Sequence, residues 1–165
     1  MILFSQVAKA VPNLFTMGNL LCGVLSITCM MSGFLETASI LVLFSAVFDL
    51  LDGRIARGLK VNSELGVQMD SLADIISFGV APALLFHAIA PPSILTSLAF
   101  ILFPIMGALR LAKFNVKPTI GYFSGLPIPA AGLPLAVMGF FSYSNVWITI
   151  ILAVLMVTPI RVKKL

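Results

Sequence analysis

Residues 65–90 read LGVQMDSLADIISFGVAPALLFHAIA, a predominantly apolar stretch of the chain. It carries two acidic side chains, Asp70 and Asp74, and one histidine, His87, before Pro91 and Pro92 end the apolar run. A helix rises 1.5 Å per residue, so a helix of this length measures about 39 Å and exceeds the roughly 30 Å hydrocarbon core of a bilayer. The stretch therefore predicts a membrane-spanning helix.

The composition extends this prediction to the whole chain. Of the 165 residues, 60% are hydrophobic and only 10% are charged, and the mean hydropathy is +1.13. Soluble domains are about half apolar and about a quarter charged. The composition therefore excludes an ordinary water-soluble domain, a disordered chain and a nucleic-acid-binding module. We expect an all-α integral membrane protein that forms a single domain over residues 1–165.

Six apolar segments, separated by turns, predict six transmembrane helices. They cover about residues 13–31, 37–60, 65–90, 94–114, 126–141 and 146–160, with a polar loop at 115–124. With six spans, every basic residue falls on one side of the membrane: Lys9, Arg54, Arg57, Lys60, Arg110, Lys113, Lys117, Arg161, Lys163 and Lys164. By the positive-inside rule, both termini and the basic loops are cytoplasmic in a multi-pass protein of the cell membrane.

Four aspartates near membrane depth are the main functional signal. Asp49 and Asp52 lie three residues apart on the second predicted helix, and Asp70 and Asp74 lie four apart on the third. Each pair therefore shares one helix face, and the two antiparallel helices bring both pairs to one level. Carboxylates inside a span are expensive, and four together repel one another. Two divalent cations would compensate this charge, and Mg²⁺ favours carboxylate oxygen.

A basic stretch and two glycines lie beside these aspartates. Arg54, Arg57 and Lys60 suit an anion rather than a metal. Gly53 and Gly66 lack a Cβ and allow a substrate to approach the backbone, although small residues are also common where membrane helices pack. Acid pairs with adjacent bases predict a metal-bridged anionic substrate, most simply a phosphate or a diphosphate.

The aspartates belong to a longer pattern. It reads Asp49-x-x-Asp52-Gly53-x-x-Ala56-Arg57, then eight residues, then Gly66-x-x-x-Asp70-x-x-x-Asp74. At every fixed position this pattern resembles the signature of the CDP-alcohol phosphatidyltransferase family, whose six-helix membrane core agrees with the predicted spans. The resemblance implies an enzyme that transfers a phosphatidyl group from a CDP-linked lipid, with ester or ether tails, to an alcohol and releases CMP.

The resemblance also implies a role for each aspartate. Asp49 and Asp70 would touch both of two divalent cations, Mg²⁺ or Mn²⁺, whereas Asp52 would touch the first and Asp74 the second. Asp74 would also accept the proton of the attacking alcohol. Homodimers are common in the family, so a homodimer is one expected assembly.

A set of contacts to the donor lipid follows from the same resemblance. It comprises Pro12, Asn13, Leu14, Phe15, Gly53, Arg57, Ser63 and Gly66. The first four match a first-helix segment that lines the nucleotide site in the family. Asn13 has a second interpretation, because a polar residue there also suits the N-cap of the first membrane helix.

The signature does not specify the acceptor alcohol. Segments at 12–23, 110–115 and 121–132 resemble the branch of the family whose acceptor is L-serine. In this interpretation Arg110 and Lys113 pair with the serine carboxylate or with a donor phosphate. Alternatively, they only follow the positive-inside rule. His87 is expected near the opposite membrane face, in a structural role.

Three other functions stay open at this point. Glycerol phosphate or inositol phosphate is the acceptor in other branches, but these anions need a further basic pocket. An intramembrane prenyltransferase also uses aspartates and Mg²⁺ on a diphosphate, but it needs a larger helical bundle. A divalent-cation transporter explains the carboxylates but not Arg57 and the adjoining basic loop, which repel cations.

Overall fold

The computed structural model describes residues 2–59, 63–116, 122–158 and 161–163. Within these ranges the chain forms α1 Ile2–Met31, α2 Leu35–Leu59, α3 Glu64–Asp74, α4 Ala81–Ile89, α5 Ile94–Val116, α6 Ile128–Phe140 and α7 Val146–Val157. A π-helical segment, Ile75–Val80, joins α3 to α4. Two short strands, β1 Tyr122–Ser124 and β2 Arg161–Lys163, pair antiparallel, with Phe123 opposite Val162.

Residue types at the helix ends explain where the helices stop and start. Gly33, in the turn between α1 and α2, has φ 84°, a left-handed conformation that glycine adopts without strain. Ser63 caps α3, since its hydroxyl accepts a hydrogen bond from the Gly66 amide at 2.9 Å. Asn145 caps α7 in the same way, accepting from the Trp147 and Ile148 amides. These caps satisfy amides that a helix start leaves without intrahelical partners.

The helices form a membrane-embedded bundle. Three of them are long and apolar enough to cross a bilayer, namely Ala10–Met31, Glu64–Ile89 and Ile94–Val116. The helix α2 is 25 residues long but carries charges near both ends, and α6 and α7 are shorter and apolar. Large apolar side chains such as Leu21 and Ile151 are more than half exposed, as expected of surfaces that face lipid tails.

Close packing between helices holds the bundle together. The helix α1 packs along α2 and also contacts α3, α6 packs on α2 and α4, and α5 packs on α7. The core between them contains the fully buried side chains of Phe78, Leu85, Phe103 and Ile128. At Gly132 a Cβ would overlap the carbonyl oxygen of Phe78, so only glycine lets α6 approach the π-helical segment this closely.

Several details differ from the sequence prediction. The helix α1 begins at Ile2 rather than near residue 13, so the interpretation of Asn13 as an N-cap is wrong. Within the predicted loop at 115–124, α5 continues to Val116 and β1 begins at Tyr122. The π-helical segment and the two strands were not expected in an all-α chain. Three of the basic residues used to predict topology, Lys60, Lys117 and Lys164, lie outside the described residues.

Candidate active site

Three of the predicted metal ligands come together between α2 and α3. Asp49, Asp70 and Asp74 each place a carboxylate oxygen so that all these oxygens lie within 4.8 Å of one another. Asp49 and Asp70 are half-buried and Asp74 is buried. Such crowding of like charges is unfavourable unless a cation compensates it. One oxygen of Asp70, Oδ1, is buried without a hydrogen-bond partner in the described part of the chain. An oxygen donor set with an unpaired buried oxygen fits a hard divalent cation.

The fourth predicted ligand, Asp52, lies outside this group of three. Its side chain is 6% exposed, and its Oδ2 accepts a hydrogen bond from the Thr16 hydroxyl at 2.9 Å. The same hydroxyl lies 3.2 Å from the carbonyl oxygen of Pro12, one turn earlier in α1. Asp52 and Asp70 both line the cavity described next. The four aspartates therefore form a cluster of three and a cavity-wall carboxylate.

An open cavity of about 520 Å³, a volume that includes its mouth, adjoins the aspartates. Its wall comes from α1, α2, α3 and the Ser63 cap: Pro12, Asn13, Thr16, Asp52, Gly53, Ala56, Ser63, Gly66, Val67 and Asp70. Five predicted donor-lipid residues are in this wall, namely Pro12, Asn13, Gly53, Ser63 and Gly66.

The two glycines of the wall have different surroundings. A Cβ on Gly53 would meet no described atom within 4 Å, so that position borders open space. A Cβ on Gly66 would lie 2.9 Å from the Ser63 hydroxyl and 3.1 Å from the Asn13 side-chain oxygen. Gly66 thus lets α1 and the α3 cap approach each other, which agrees with a packing role as well as with a place in the cavity wall.

Three predicted donor-lipid residues do not line the cavity. The side chain of Leu14 is 72% exposed, and Phe15 packs against Phe48 with ring centroids 6.4 Å apart. Arg57 is exposed, and its Nε donates a hydrogen bond to the Gly53 carbonyl at 3.0 Å. The arginine therefore lies along α2 beside the cavity rather than inside it.

The helix α5 reaches the same end of the bundle. The Asn115 side chain donates to the Ser71 hydroxyl at 3.0 Å, which ties the end of α5 to α3 beside Asp70. Arg110 is half-buried, and its Nε is buried with no hydrogen-bond partner among residues 2–59, 63–116, 122–158 and 161–163. Lys113 is exposed.

Sequence reasoning did not assign Asn19 a role in the site. This side chain of α1 is 0% exposed, and its Nδ2 donates to Oδ1 of Asp74 at 3.2 Å. Thr16, which bonds Asp52, was missed as well. The two are three residues apart on one face of an otherwise apolar helix. Polar residues on a buried face of a membrane span are a functional signal, so this spacing would have identified them.

Comparisons with known proteins identify relatives along most of the chain. A model of the CDP-alcohol phosphatidyltransferase family matches residues 9–160. The CDP-diacylglycerol–serine O-phosphatidyltransferase of Bacillus subtilis is 34% identical over 143 residues, which are 85% of this chain and 80% of the relative. The archaetidylserine synthase of Methanothermobacter thermautotrophicus is 41% identical over 160 residues, 92% of this chain and 69% of the relative. A third relative, from Methanocaldococcus jannaschii and named like the first, is 36% identical over 159 residues, 93% of this chain and 74% of the relative.

Proposed function

The chain belongs to the CDP-alcohol phosphatidyltransferase family, and we propose that it transfers a phosphatidyl group from CDP-diacylglycerol to L-serine, forming phosphatidylserine and releasing CMP. The observation that carries this function is the group of Asp49, Asp70 and Asp74 beside a cavity of about 520 Å³. Relatives named for serine as acceptor support the choice of alcohol. The archaetidylserine synthase relative supports an ether-lipid donor as a second candidate.

The aspartates would hold two divalent cations, Mg²⁺ or Mn²⁺. Asp49, Asp70 and Asp74 supply clustered oxygens, and Asp52 supplies one more from the cavity wall. Bound cations of this kind neutralise the charge of a diphosphate and of the leaving phosphate. Among the aspartate oxygens, Asp70 Oδ1 suits such a cation, because it is buried and no described residue donates to it.

The residues of the chain bind the donor and receive the proton. The cavity wall of Pro12, Asn13, Gly53, Ser63 and Gly66 would hold the CDP group. Leu14 and Phe15, which lie outside the wall, would serve only to place that segment of α1. The exposed guanidinium of Arg57, held beside Gly53, has further N–H donors for a phosphate oxygen.

In the transfer step, the serine hydroxyl oxygen attacks the phosphorus that carries the lipid. The new oxygen–phosphorus bond forms as the bond from that phosphorus to the CMP oxygen breaks, and CMP leaves with the electron pair. Asp74 accepts the hydroxyl proton as a general base. Its Oδ1 already accepts a hydrogen bond from Asn19, which orients the carboxylate.

Arg110 and Lys113 are proposed to bind the acceptor carboxylate or a donor phosphate. The buried Nε of Arg110 supports this role, since a buried guanidinium N–H without a partner in the described chain suits an anionic ligand. Exposed Lys113 would contribute charge at the rim of the same site. Neither a glycerol phosphate nor an inositol phosphate acceptor gains support here, because both need a larger basic pocket. Arg57 and Arg110 also disfavour cation transport.

The proposed arrangement in the membrane has six spans in one domain, with both termini and the active site on the cytoplasmic side of the cell membrane. The basic residues Arg54, Arg57, Arg110 and Lys113 support this orientation, as they share the aspartate end of the bundle. A homodimer is the assembly that the family favours, and native mass spectrometry in detergent tests it.

The test is CMP release by purified protein in detergent. CDP-diacylglycerol or its ether-lipid equivalent is supplied with Mg²⁺ or Mn²⁺ and with each candidate alcohol in turn. Serine-dependent release that requires a divalent cation supports the proposal. Release with glycerol phosphate or inositol phosphate instead would overturn the choice of acceptor. No CMP release with any alcohol, with or without a divalent cation, would overturn the assignment as an enzyme.

A further inference from the structure

We propose that Asn19 is the specificity-determining residue for the acceptor: its side-chain oxygen binds the ammonium group of an amino alcohol while its side-chain nitrogen holds Asp74. This inference rests on the proposed transfer to serine. It adds a residue outside the family signature and names the substrate group that the residue recognises.

The first observation is an unpaired acceptor in a fully buried side chain. Asn19 is 0% exposed, and its Nδ2 donates to Asp74 Oδ1 at 3.2 Å. Its Oδ1 is buried and has no hydrogen-bond partner in the described chain. Buried polar groups are nearly always satisfied in working proteins, because an unmade hydrogen bond in the interior is costly. A donor from outside the chain would satisfy this oxygen.

The second observation is that this orientation of the amide is set by its neighbours. With the proposed cations bound, Asp74 is an ionised carboxylate, which accepts hydrogen bonds but does not donate them, so Nδ2 rather than Oδ1 faces it. The backbone at Asn19 is also held, because the hydroxyls of Ser45 and Ser77 donate to its carbonyl oxygen at 3.3 and 3.0 Å. Gly23 allows Ser77 this close to α1, since a Cβ there would overlap the Ser77 hydroxyl.

The position of the unpaired oxygen matches the geometry of a 2-amino alcohol. Oδ1 and Nδ2 belong to one planar amide, so the unpaired oxygen lies next to the hydrogen bond to Asp74. The acceptor hydroxyl must reach Asp74 to lose its proton. In serine the ammonium group is on the carbon next to the hydroxyl-bearing one. One serine molecule can therefore place its ammonium group beside Asn19 and its hydroxyl beside Asp74. A site with a buried polar group for a substrate N–H strongly rejects the analogue that lacks it.

The test compares serine with 3-hydroxypropionate, which keeps the hydroxyl and the carboxylate but has no amino group. Loss of the contact from Asn19 to Asp74 slows transfer to both acceptors, whereas loss of the contact from Asn19 to the ammonium group slows transfer to serine alone. The ratio of kcat/KM for serine to kcat/KM for 3-hydroxypropionate therefore isolates the side-chain oxygen. Where 3-hydroxypropionate is not turned over, its inhibition constant against serine replaces its kcat/KM.

We expect Asn19→Ala to lower this ratio at least about tenfold, the loss typical of one hydrogen bond to a charged group. The KM for serine should rise while the KM for the CDP-lipid stays within twofold. Asn19→Asp replaces the amide by a carboxylate, which pairs more strongly with an ammonium group, so it should raise the ratio even though its loss of the N–H donor to Asp74 slows transfer to both acceptors. The matched control is Ser26→Ala, two turns along α1, whose buried hydroxyl donates to the Ala38 carbonyl at 2.8 Å and touches no part of the site.

An unchanged ratio in folded Asn19→Ala would overturn the inference, since a water molecule or a protein donor would then satisfy the oxygen. A higher Mg²⁺ requirement with an unchanged ratio would overturn it as well, because Asn19 would then serve a cation. Folding is checked by the melting temperature in detergent. If the alanine variant does not fold, a raised ratio in Asn19→Asp supports the inference, and an unchanged or lower ratio overturns it. Wild-type protein without serine-dependent CMP release would refute the proposed function itself.

Discussion

The two ends of one membrane span, α3 and α4, differ in the polarity of their buried side chains although they belong to one continuous helical segment. On α3 the buried side chains include Asp74, and half-buried Asp70 lines a cavity. On α4 the buried side chains are those of Ala81, Leu85 and Phe86 among other apolar residues. The end with buried carboxylates can bind charged groups, whereas the apolar end can only pack. We therefore expect substitutions in α3 to change activity and substitutions in α4 to change stability.

The π-helical segment Ile75–Val80 separates these two ends. It begins directly after Asp74, and Ser77 within it donates a hydrogen bond to α1 at the carbonyl of Asn19. Phe78 in the same segment belongs to the fully buried core. Segments of this kind frequently occur at functional sites, where the wider turn shifts the helix face that follows. The segment thus connects the orientation of Asp74 to the packing of the bundle.

The largest expected effect is that of removing the charge at the α3 end. Asp74→Asn should lower serine-dependent CMP release by about a thousandfold, because it removes the proposed general base. The melting temperature should stay near that of the wild type, since the amide keeps the size of the side chain. The control Glu36→Gln makes the same chemical change at an exposed position at the opposite end of α2 and should leave the rate unchanged. A variant that retains a tenth of the activity would contradict the role of Asp74.

Removing a buried apolar side chain at the α4 end should lower stability rather than activity. Leu85 is 0% exposed, and Leu85→Ala should destabilise the protein by about 2–5 kcal/mol through the cavity that it leaves. Activity per folded molecule should remain within about twofold, as expected of a change distant from the site. Thermal unfolding in detergent and rate assays below the transition measure the two quantities separately. Leu98→Ala, at a position that is 50% exposed, should show little of this loss. A stable but inactive Leu85→Ala variant would contradict the expectation that substitutions in α4 change stability rather than activity.

A smaller effect is expected where α1 supports the cavity wall. Thr16→Val removes the hydroxyl that donates to Asp52 at 2.9 Å but keeps the shape of the side chain. The KM for the CDP-lipid should rise by about tenfold, the loss of one hydrogen bond to a charged group. Thr28→Val is the matched control on the same helix, because its exposed hydroxyl bonds only the Val24 carbonyl. Equal effects of the two substitutions would show that the Asp52 contact is not specific.

The smallest effect is predicted for the lone histidine. His87 on α4 is exposed, and its ring stacks on Phe100 with centroids 4.7 Å apart. His87→Ala should cost at most about 1 kcal/mol of stability, the usual value of such a ring pair. The rate of CMP release by this variant should stay within twofold of the wild-type rate at each pH from 6 to 8, because no proposed proton transfer uses the imidazole. A changed pH–rate profile in this variant would bring His87 into the mechanism.

The sequence predicted most of the helical segments and three of the four clustered aspartates, because apolar runs and residue spacing can be read along the chain. Asp70 and Asp74 are four residues apart and therefore share a helix face wherever the helix lies. The contiguous segment from Pro12 to Phe15 was harder, since successive helical residues turn by about 100° and cannot all face one cavity. Pro12 and Asn13 line the wall, and Leu14 points outward.

Other features depended on contacts between helices, which spacing does not encode. The bond from Asn19 to Asp74 joins residues 55 positions apart and requires the rotation of α1 relative to α3. The π-helical segment lies where neighbouring helices approach closely, because a Cβ on Gly132 would overlap Phe78 and a Cβ on Gly107 would meet the Ile75 side chain. The β1–β2 pair joins two segments far apart in the chain, each only three residues long. A strand of three residues carries too little alternation to be recognised.

The proposed reaction has a serine hydroxyl oxygen attack the lipid-bearing phosphorus at the aspartate end of the span. Serine labelled with ¹⁸O in its hydroxyl group probes this attack, with CDP-diacylglycerol as donor and mass spectrometry of both products. The label should appear in phosphatidylserine, CMP should carry none, and Asp74→Asn should lower the amount of labelled lipid by about a thousandfold. Labelled CMP, or a lipid product without the label, would contradict the proposed attack.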